Sequence, residues 1–380
     1  FQVDFKPGAV LYPTRLPTLT APTALLPEEM LRVELRQPDF IEGRTNGFIR
    51  AEGNAYPVLL TPQVDPNAPV LGWGELKGGV GLDRIFHKLM LTPSYDVQYD
   101  MPFAYVGKLD PDLGPVLVSY VELLAQLDDR NDKIDPHKGF YLQSDVQFAG
   151  VGGTAQDVRV QPEARGYIPL GKKVTLALRG TVGFLFAGNY GATLTQSAGK
   201  APPDAERGDW VRDIELFYLR GFFSGGPSSN RGYPLRGVGP HGIVPFFNPG
   251  VAAQQVAADC GTVTDPSTEA RCAVPLGGQT LWEASLELRV PVSGPLGGAL
   301  FCDASDVELA QVTFRFDRPH LACGLGARYA TPIGPVRLDV GYRIPGLQLI
   351  GQPFDIATQG DPGTVFGAPI AFSFGIGEAF

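Results

Sequence analysis

Four cysteines, four histidines and one knot of serine and aspartate are the groups in this 380-residue chain that could do covalent or acid–base chemistry. Cys260, Cys272, Cys302 and Cys323 form no CxxC pair, and His87, His137, His241 and His320 are scattered, so no metal site is expected. Asp303, Ser305 and Asp306 lie close together, with His320 as the nearest base. A hydrolase needs its nucleophile beside an oriented histidine, and no orienting motif surrounds His320. Gly324-Leu325-Gly326 falls within a strand pattern and not at a strand-to-helix turn, so it is no nucleotide fingerprint. The expectation is a protein that is not an enzyme and needs no cofactor. The cysteines suggest different chemistry. Cys260 and Cys272 sit in a Gly/Ala/Asp/Thr-rich loop, where an oxidising compartment permits a disulfide. It would close a loop of about a dozen residues, worth roughly 3 kcal/mol in the chain-entropy model.

These groups must be carried by strands, because the dominant period of the chain is two. In residues 279–290 the positions Gln279, Glu283, Ser285, Glu287 and Arg289 are polar, while Trp282, Ala284, Leu286, Leu288 and Val290 are apolar. Side chains alternate faces along a strand, so this segment has one wet and one apolar face. In 335–343, Arg337, Asp339 and Arg343 oppose Val336, Leu338, Val340 and Tyr342. Near the end of the sequence, Ile370, Phe372, Phe374 and Ile376 alternate with Ala371, Ser373, Gly375 and Gly377. A soluble sandwich would turn the apolar face inward; a membrane barrel would turn it toward lipid and line its lumen with the polar face. The barrel is favoured. The polar face carries charges and glycines, segments of about ten residues suit a tilted span, and tight turns alternate with long loops.

The spacing predicts an all-β, antiparallel transmembrane barrel with about fourteen strands: 1–12, 29–41, 46–57, 73–83, 88–101, 115–129, 139–150, 155–169, 172–187, 279–292, 296–307, 319–331, 334–346 and 369–380. Long connections fall at 13–28, 58–72, 188–278, 308–318 and 347–368, and 210–225 reads as a further strand-like stretch. Cys302 and Cys323 both fall on apolar faces of neighbouring strands. They stand either as a second disulfide, if the 308–318 loop is symmetric, or as two thiols acting as small apolar residues.

Composition limits the alternatives. The net charge of −9 and the lack of a basic stripe argue against nucleic acid. Hydrophobic residues make up 44%, too many for a disordered chain, and 48 glycines with 35 prolines fit many turns. No run of about 18 apolar residues exists to form a transmembrane helix. Phe1 opens directly into a strand pattern with no secretory signal, so the chain is read as a mature or truncated single barrel domain over 1–380, without upstream periplasmic domains.

Several segments in order carry a resemblance: GGPSSNRGYPLRGVGP at 225–240, GGQTLWEASLELRVP at 277–291, ALFCDASDV at 299–307, HLACGLGARYATPIGPVRLDVGYRI at 320–344, and the final FSFGIGEAF. Together they resemble the BamA/TamA superfamily of outer-membrane protein assembly barrels, firmly over 139–380 and more thinly at 34–56. The family signature is Val or Ile followed by Arg-Gly-Phe or Arg-Gly-Tyr; here Asn230 precedes Arg231, Gly232 and Tyr233. The resemblance implies that the long loop of 188–278 folds into the lumen, where Arg231 meets carboxylates on the inner wall. By position these are Glu287 and Asp303, with Glu283 as the rival partner. Both expected partners lie on polar strand faces, and a planar guanidinium suits two carboxylates. Losing one partner in a wet lumen would cost on the order of 1–3 kcal/mol, below the fully buried range. Gly232 is expected to allow a sharp turn at the loop tip. The closing residues Phe372, Phe374, Ile376 and Phe380 resemble the terminal-strand signal of outer-membrane barrels, with Phe380 expected in the interfacial aromatic belt. The family pattern has sixteen strands, an even number as such barrels require, against the fourteen countable here.

The implied function is insertion and folding of β-barrel proteins into the bacterial outer membrane through a lateral seam, where the last strand would meet the first with few hydrogen bonds. Implied partners are unfolded outer-membrane proteins, periplasmic assembly factors or lipoproteins, and outer-membrane lipids. Two-partner secretion, a TamA-like translocation role and, outside the family, a passive porin are the rival readings.

Overall fold

The computed structural model describes residues 1–12, 24–58, 69–171, 173–197, 206–247, 249–251, 255, 273–317, 319–332, 334–344, 368–377 and 379–380. The first nine strands are β1 (Gln2–Tyr12), β2 (Ala24–Gln37), β3 (Thr45–Pro57), β4 (Val70–Phe86), β5 (Leu89–Val106), β6 (Val116–Asp128), β7 (Gly139–Ala149), β8 (Asp157–Leu170) and β9 (Val174–Ala187). Two helices follow, α1 (Ala192–Ser197) and α2 (Arg207–Arg220), then a small antiparallel pair, β10 (His241–Ile243) with β11 (Ala273–Pro275). The remaining wall strands are β12 (Thr280–Ser293), β13 (Leu296–Glu308), β14 (His320–Tyr329), β15 (Val336–Arg343) and β16 (Ile370–Ile376).

Fourteen strands form one antiparallel sheet in chain order, with β9 pairing directly to β12 across the long insertion. The strand positions expected from alternation agree with these bounds to within a few residues. β2 starts earlier, at Ala24, and β5 runs on to Val106. Among the described residues β1 and β16 share no ladder, so the sheet is not closed between them.

The faces are inverted relative to a soluble protein. On β12 the carboxylates are buried, Glu283 at 7% and Glu287 at 0% exposure, while Leu286 is 46% exposed. On β13 and β14, Leu300 and Leu325 point outward and Asp303 and His320 are buried. Exposing leucine while burying charge is unfavourable in water and favourable when the outer wall meets lipid.

The segment 210–225 is not a strand. Residues 207–220 form α2, and its Trp210, Val211, Ile214, Leu216 and Phe217 are buried. Asp213-Ile214-Glu215-Leu216 alternates with period two over four residues, which imitates a strand. Over the whole element the apolar positions 210, 211, 214 and 217 follow helical spacing. Asp209 in the first turn and Arg220 in the last suit the helix dipole. The helix packs inside the end of the barrel that carries the long connections. There it joins Leu71 and Trp73 of β4, Val116, Val118 and Tyr120 of β6, and Leu194 of α1 in one apolar cluster.

A lumen plug built on Arg231 as the candidate functional site

The site starts from strand parity. Phe301, Asp303 and Ser305 are alternate residues of β13 and share its buried face. Glu287 of β12 is the direct cross-strand partner of Phe301, and Ser285 that of Asp303. Glu287 and Asp303 are therefore diagonal neighbours, about 7–8 Å apart by strand geometry, a gap that one guanidinium can bridge.

Arg231 bridges it. Its Nε and Nη2 donate to the two oxygens of Asp303 at 2.7 and 2.9 Å. Its Nη1 donates to Glu287, and its backbone N–H donates to Asp303 at 3.1 Å. The guanidinium lies 3.6 Å from the ring centroid of Phe301, which forms the floor of the site. Arg231, Glu287 and Asp303 are each at most 1% exposed. Glu283 does not compete: it accepts from Arg179 Nη1 at 2.9 Å and from the Ser229 hydroxyl.

Glu287 also accepts from Arg289 Nε at 2.8 Å and Arg328 Nη2 at 3.2 Å, and Arg328 donates onward to Asp339 at 2.5 Å. Two wall arginines hold the loop backbone: Arg337 donates to Pro227 O at 2.7 Å and Arg343 to Gly232 O at 3.1 Å. The loop is thus fixed by charge-assisted bonds from both sides, each stronger than a neutral one.

The neighbours of Arg231 fit a tight space. Asn230, where the family signature has Val or Ile, is 1% exposed, and its amide donates to Ser305 Oγ at 2.9 Å and His320 O at 2.6 Å. Polar wall atoms satisfy the amide nitrogen, while the buried Oδ1 has no hydrogen-bond partner among the described residues. Tyr233 is 3% exposed and meets the His320 ring edge-on, with centroids 5.4 Å apart. Gly232 lies in the expected turn, which Tyr233 N–H closes by donating to Asn230 O at 3.1 Å, but its backbone is not left-handed. Glycine is required because a Cβ would stand 2.2 Å from the Ala322 Cβ. Gly341 is small for a related reason: a Cβ on it would meet Arg231 O at 2.6 Å.

The Ser305–His320–Asp306 knot lies beneath this loop. All three are at most 3% exposed, and His320 Nδ1 is 3.4 Å from Asp306 Oδ1. Ser305 accepts a hydrogen bond from Asn230, so the group acts as polar flooring for the plug.

Cys302 and Cys323 are direct cross-strand partners and form a disulfide, with Cα atoms 4.0 Å apart. Of the two alternatives open for this pair, the bridge is the one formed. Cys260 and Cys272 lie outside the described residues.

The terminal signal residues divide. Phe372 and Phe374 project from the outer face at 49% and 69% exposure. Ile376 ends β16 opposite Val336; its side chain lies outside the described residues. Phe380 is not in an interfacial belt, and the expected strand 369–380 stops at residue 376. Phe380 turns into the lumen, 7% exposed, against Tyr167 and Ala177. Arg289 Nη2 donates to its carbonyl oxygen at 3.3 Å, with the guanidinium 5.7 Å from its ring. Gly377, with φ of 91°, supplies the left-handed residue at the bend.

Sequence reasoning missed Phe301 as the floor, Arg337 and Arg343 as backbone clamps, and the whole of α2. Parity sets Phe301 on the same face as Asp303 and Ser305, but it does not announce the contact with the Arg231 guanidinium.

A lipid-facing antiparallel wall around an ion-paired inner loop defines an outer-membrane-type barrel with a lumen plug. The Omp85 superfamily domain matches residues 96–380, and the chain belongs to that superfamily. Among solved structures it is similar to BamA from Haemophilus ducreyi lacking POTRA domains 1–3, with 14% identity and a TM-score of 0.58. That alignment covers 83% of this chain and 59% of the other, so the chain spans about three-fifths of the relative's length. It is also similar to CdiB from Acinetobacter baumannii, with 11% identity, a TM-score of 0.47 and coverage of 84% and 47%. No curated protein matches the chain.

Proposed function

We propose that this chain is the barrel of an outer-membrane machine that inserts and folds other β-barrel proteins. The observation that carries the reading is the outer edge of β16. This strand has seven residues, the fewest of the fourteen in the wall, and among the described residues it pairs with β15 alone. A strand edge with unpaired N–H and C=O groups templates an incoming strand by β-augmentation. No covalent bond is made or broken in that process, so no catalytic residue or cofactor is invoked. The partners are unfolded barrel proteins, periplasmic assembly factors or lipoproteins, and outer-membrane lipids, and the location is the bacterial outer membrane. A passive porin is disfavoured by the buried plug, which fills the lumen an open channel needs.

The test is reconstitution into lipid vesicles with an unfolded outer-membrane barrel as substrate, following the heat-modifiable gel shift of its folded form. The reading predicts faster folding than in empty vesicles, and cysteine cross-links from β16 to the substrate. Equal rates with and without the protein overturn it. Export of a soluble chain without any acceleration of barrel folding would favour two-partner secretion.

A further inference from the structure

The plug contains a second buried arginine that no motif announces. Arg220, the last residue of α2, donates from Nη2 to Asp157 Oδ1 at 2.7 Å, from Nε to Asp157 Oδ2 at 3.1 Å and from Nη1 to Gln147 Oε1 at 2.9 Å. Its guanidinium lies 5.2 Å from the ring centroid of Tyr120. The Tyr190 hydroxyl donates to the same Asp157 at 2.8 Å. Arg220 is 7% and Asp157 5% exposed. The geometry is a two-pronged arginine–carboxylate pair, the same fork that Arg231 makes with Asp303.

The two forks grip different parts of the wall. Asp157, Gln147 and Tyr120 belong to β8, β7 and β6, whereas Arg231 holds β12 and β13. The segment between the arginines is itself tied down. Phe222 bridges to Gly278 and Ser224 to Val238. The rings of Tyr218 and Phe223 meet edge-on, with centroids 6.0 Å apart, and the Arg236 guanidinium sits against both, at 4.3 and 4.4 Å from their centroids. This clamp connects α2 to the loop that carries Arg231. The apolar side of α2 fills the long-loop end of the lumen, but apolar packing is non-directional and does not by itself fix where a helix sits. Ion pairs do, and α2 has one at each end: Arg207, its first residue, pairs with Asp110 and Asp112 in the loop after β5, and Arg220 pairs with Asp157 on the wall itself.

We propose that Arg220 is a second positioning residue of the lumen plug, holding α2 on the β6–β8 wall independently of Arg231, so that the barrel opens only when both anchors release. The inference concerns closure of the lumen and stands whether or not the protein inserts barrels.

The experiment compares the full chain with Arg220→Ala, Arg220→Lys, Asp157→Asn, Arg231→Ala and the Arg220→Ala/Arg231→Ala double variant. Amide exchange over residues 210–220 and single-channel conductance in planar bilayers are the readouts. Arg231→Ala should leave α2 protection within about twofold of the parent, while Arg220→Ala and Asp157→Asn lower it by about tenfold or more. Arg220→Lys, which keeps the charge, should retain more protection than Arg220→Ala. Each single arginine variant should stay near parental conductance, and the double variant should show a steady open pore. Loss of α2 protection in Arg231→Ala overturns the proposal, as does unchanged protection in Arg220→Ala. A pore in Arg231→Ala equal to that of the double variant also overturns it. If the double variant does not give a heat-resistant barrel, exchange in the single variants decides the question alone.

Discussion

Gly232 of the plug loop and Ala322 of β14 are packed so closely that a Cβ on the glycine would fall 2.2 Å from the alanine Cβ. Both atoms are fixed by backbone, so neither can swing aside as the end of a long side chain would. The contact places Gly232 O against Arg343, which donates to it at 3.1 Å, and it holds Arg231 at the depth of Asp303 and Glu287.

Gly232→Ala should therefore overpack the site and destabilise the barrel by about 1–3 kcal/mol. Ala322→Gly in the same chain should restore most of the loss by removing the opposing carbon. The temperature at which the heat-modifiable band disappears on gels measures both. An Ala322→Gly change that gives no recovery would show that Gly232 serves a different purpose.

Arg231→Ala leaves two carboxylates, each at most 1% exposed, without their shared cation. Sequence reasoning places this loss in a wet lumen, but the burial found here moves it to the range for breaking a buried pair, about 3–5 kcal/mol. Arg289 and Arg328 remain beside Glu287, so Asp303 bears most of the loss. Asp303→Asn in the Arg231→Ala background should relieve part of it. Urea midpoints of the parent, the single and the double variant test this; a double variant less stable than Arg231→Ala contradicts it.

The Cys302–Cys323 bridge joins strands that are already hydrogen-bonded neighbours. Its contribution should fall below the roughly 3 kcal/mol that the chain-entropy model gives a loop of this size. Cys302→Ala/Cys323→Ala should still assemble into a heat-modifiable barrel, with a modestly lower transition temperature. Mass spectrometry of the parent after alkylation, with and without reductant, should show exactly two thiols from this pair appearing only on reduction. Labelling of either residue without reductant would contradict the bridge.

Stability of the α2 cap should depend on pH through Glu215. This residue is 4% exposed, and burial first, then the neighbouring charge of Asp100, pushes its carboxyl up to about 8, with Arg212 pulling the other way. A folded pKa above the unfolded value means that stability is full below the unfolded pKa and is lost as pH rises through about 8. The parent should melt at progressively lower temperature between about pH 5 and about pH 9, and Glu215→Gln should flatten that slope. Parallel slopes for parent and variant would refute the assignment.

Strand parity is a local property, and the sequence determined it unaided. Side chains two apart must share a face, so Glu287, Asp303 and Ser305 could be set on the inner wall, and Leu286, Leu300 and Cys302 on the outer, without knowing any partner. The fourteen wall strands follow from the same rule. Which inner residues meet across the lumen is not local. Asp157 and Arg220 lie 63 positions apart, and their contact depends on where the insertion after β9 re-enters the barrel. The need for glycine at residue 232 arises from Ala322 on a wall strand, so the loop's own residues do not announce it. Phe380 continues the outward aromatic pattern of Phe372 and Phe374 in sequence, yet the bend at Gly377 carries it inside to Tyr167 and Arg289. In α2, four residues of alternation were outweighed by a helical apolar stripe that gains stability only when the barrel interior is there to bury it. Curvature of the sheet creates that interior, and curvature is a property of all the strands together.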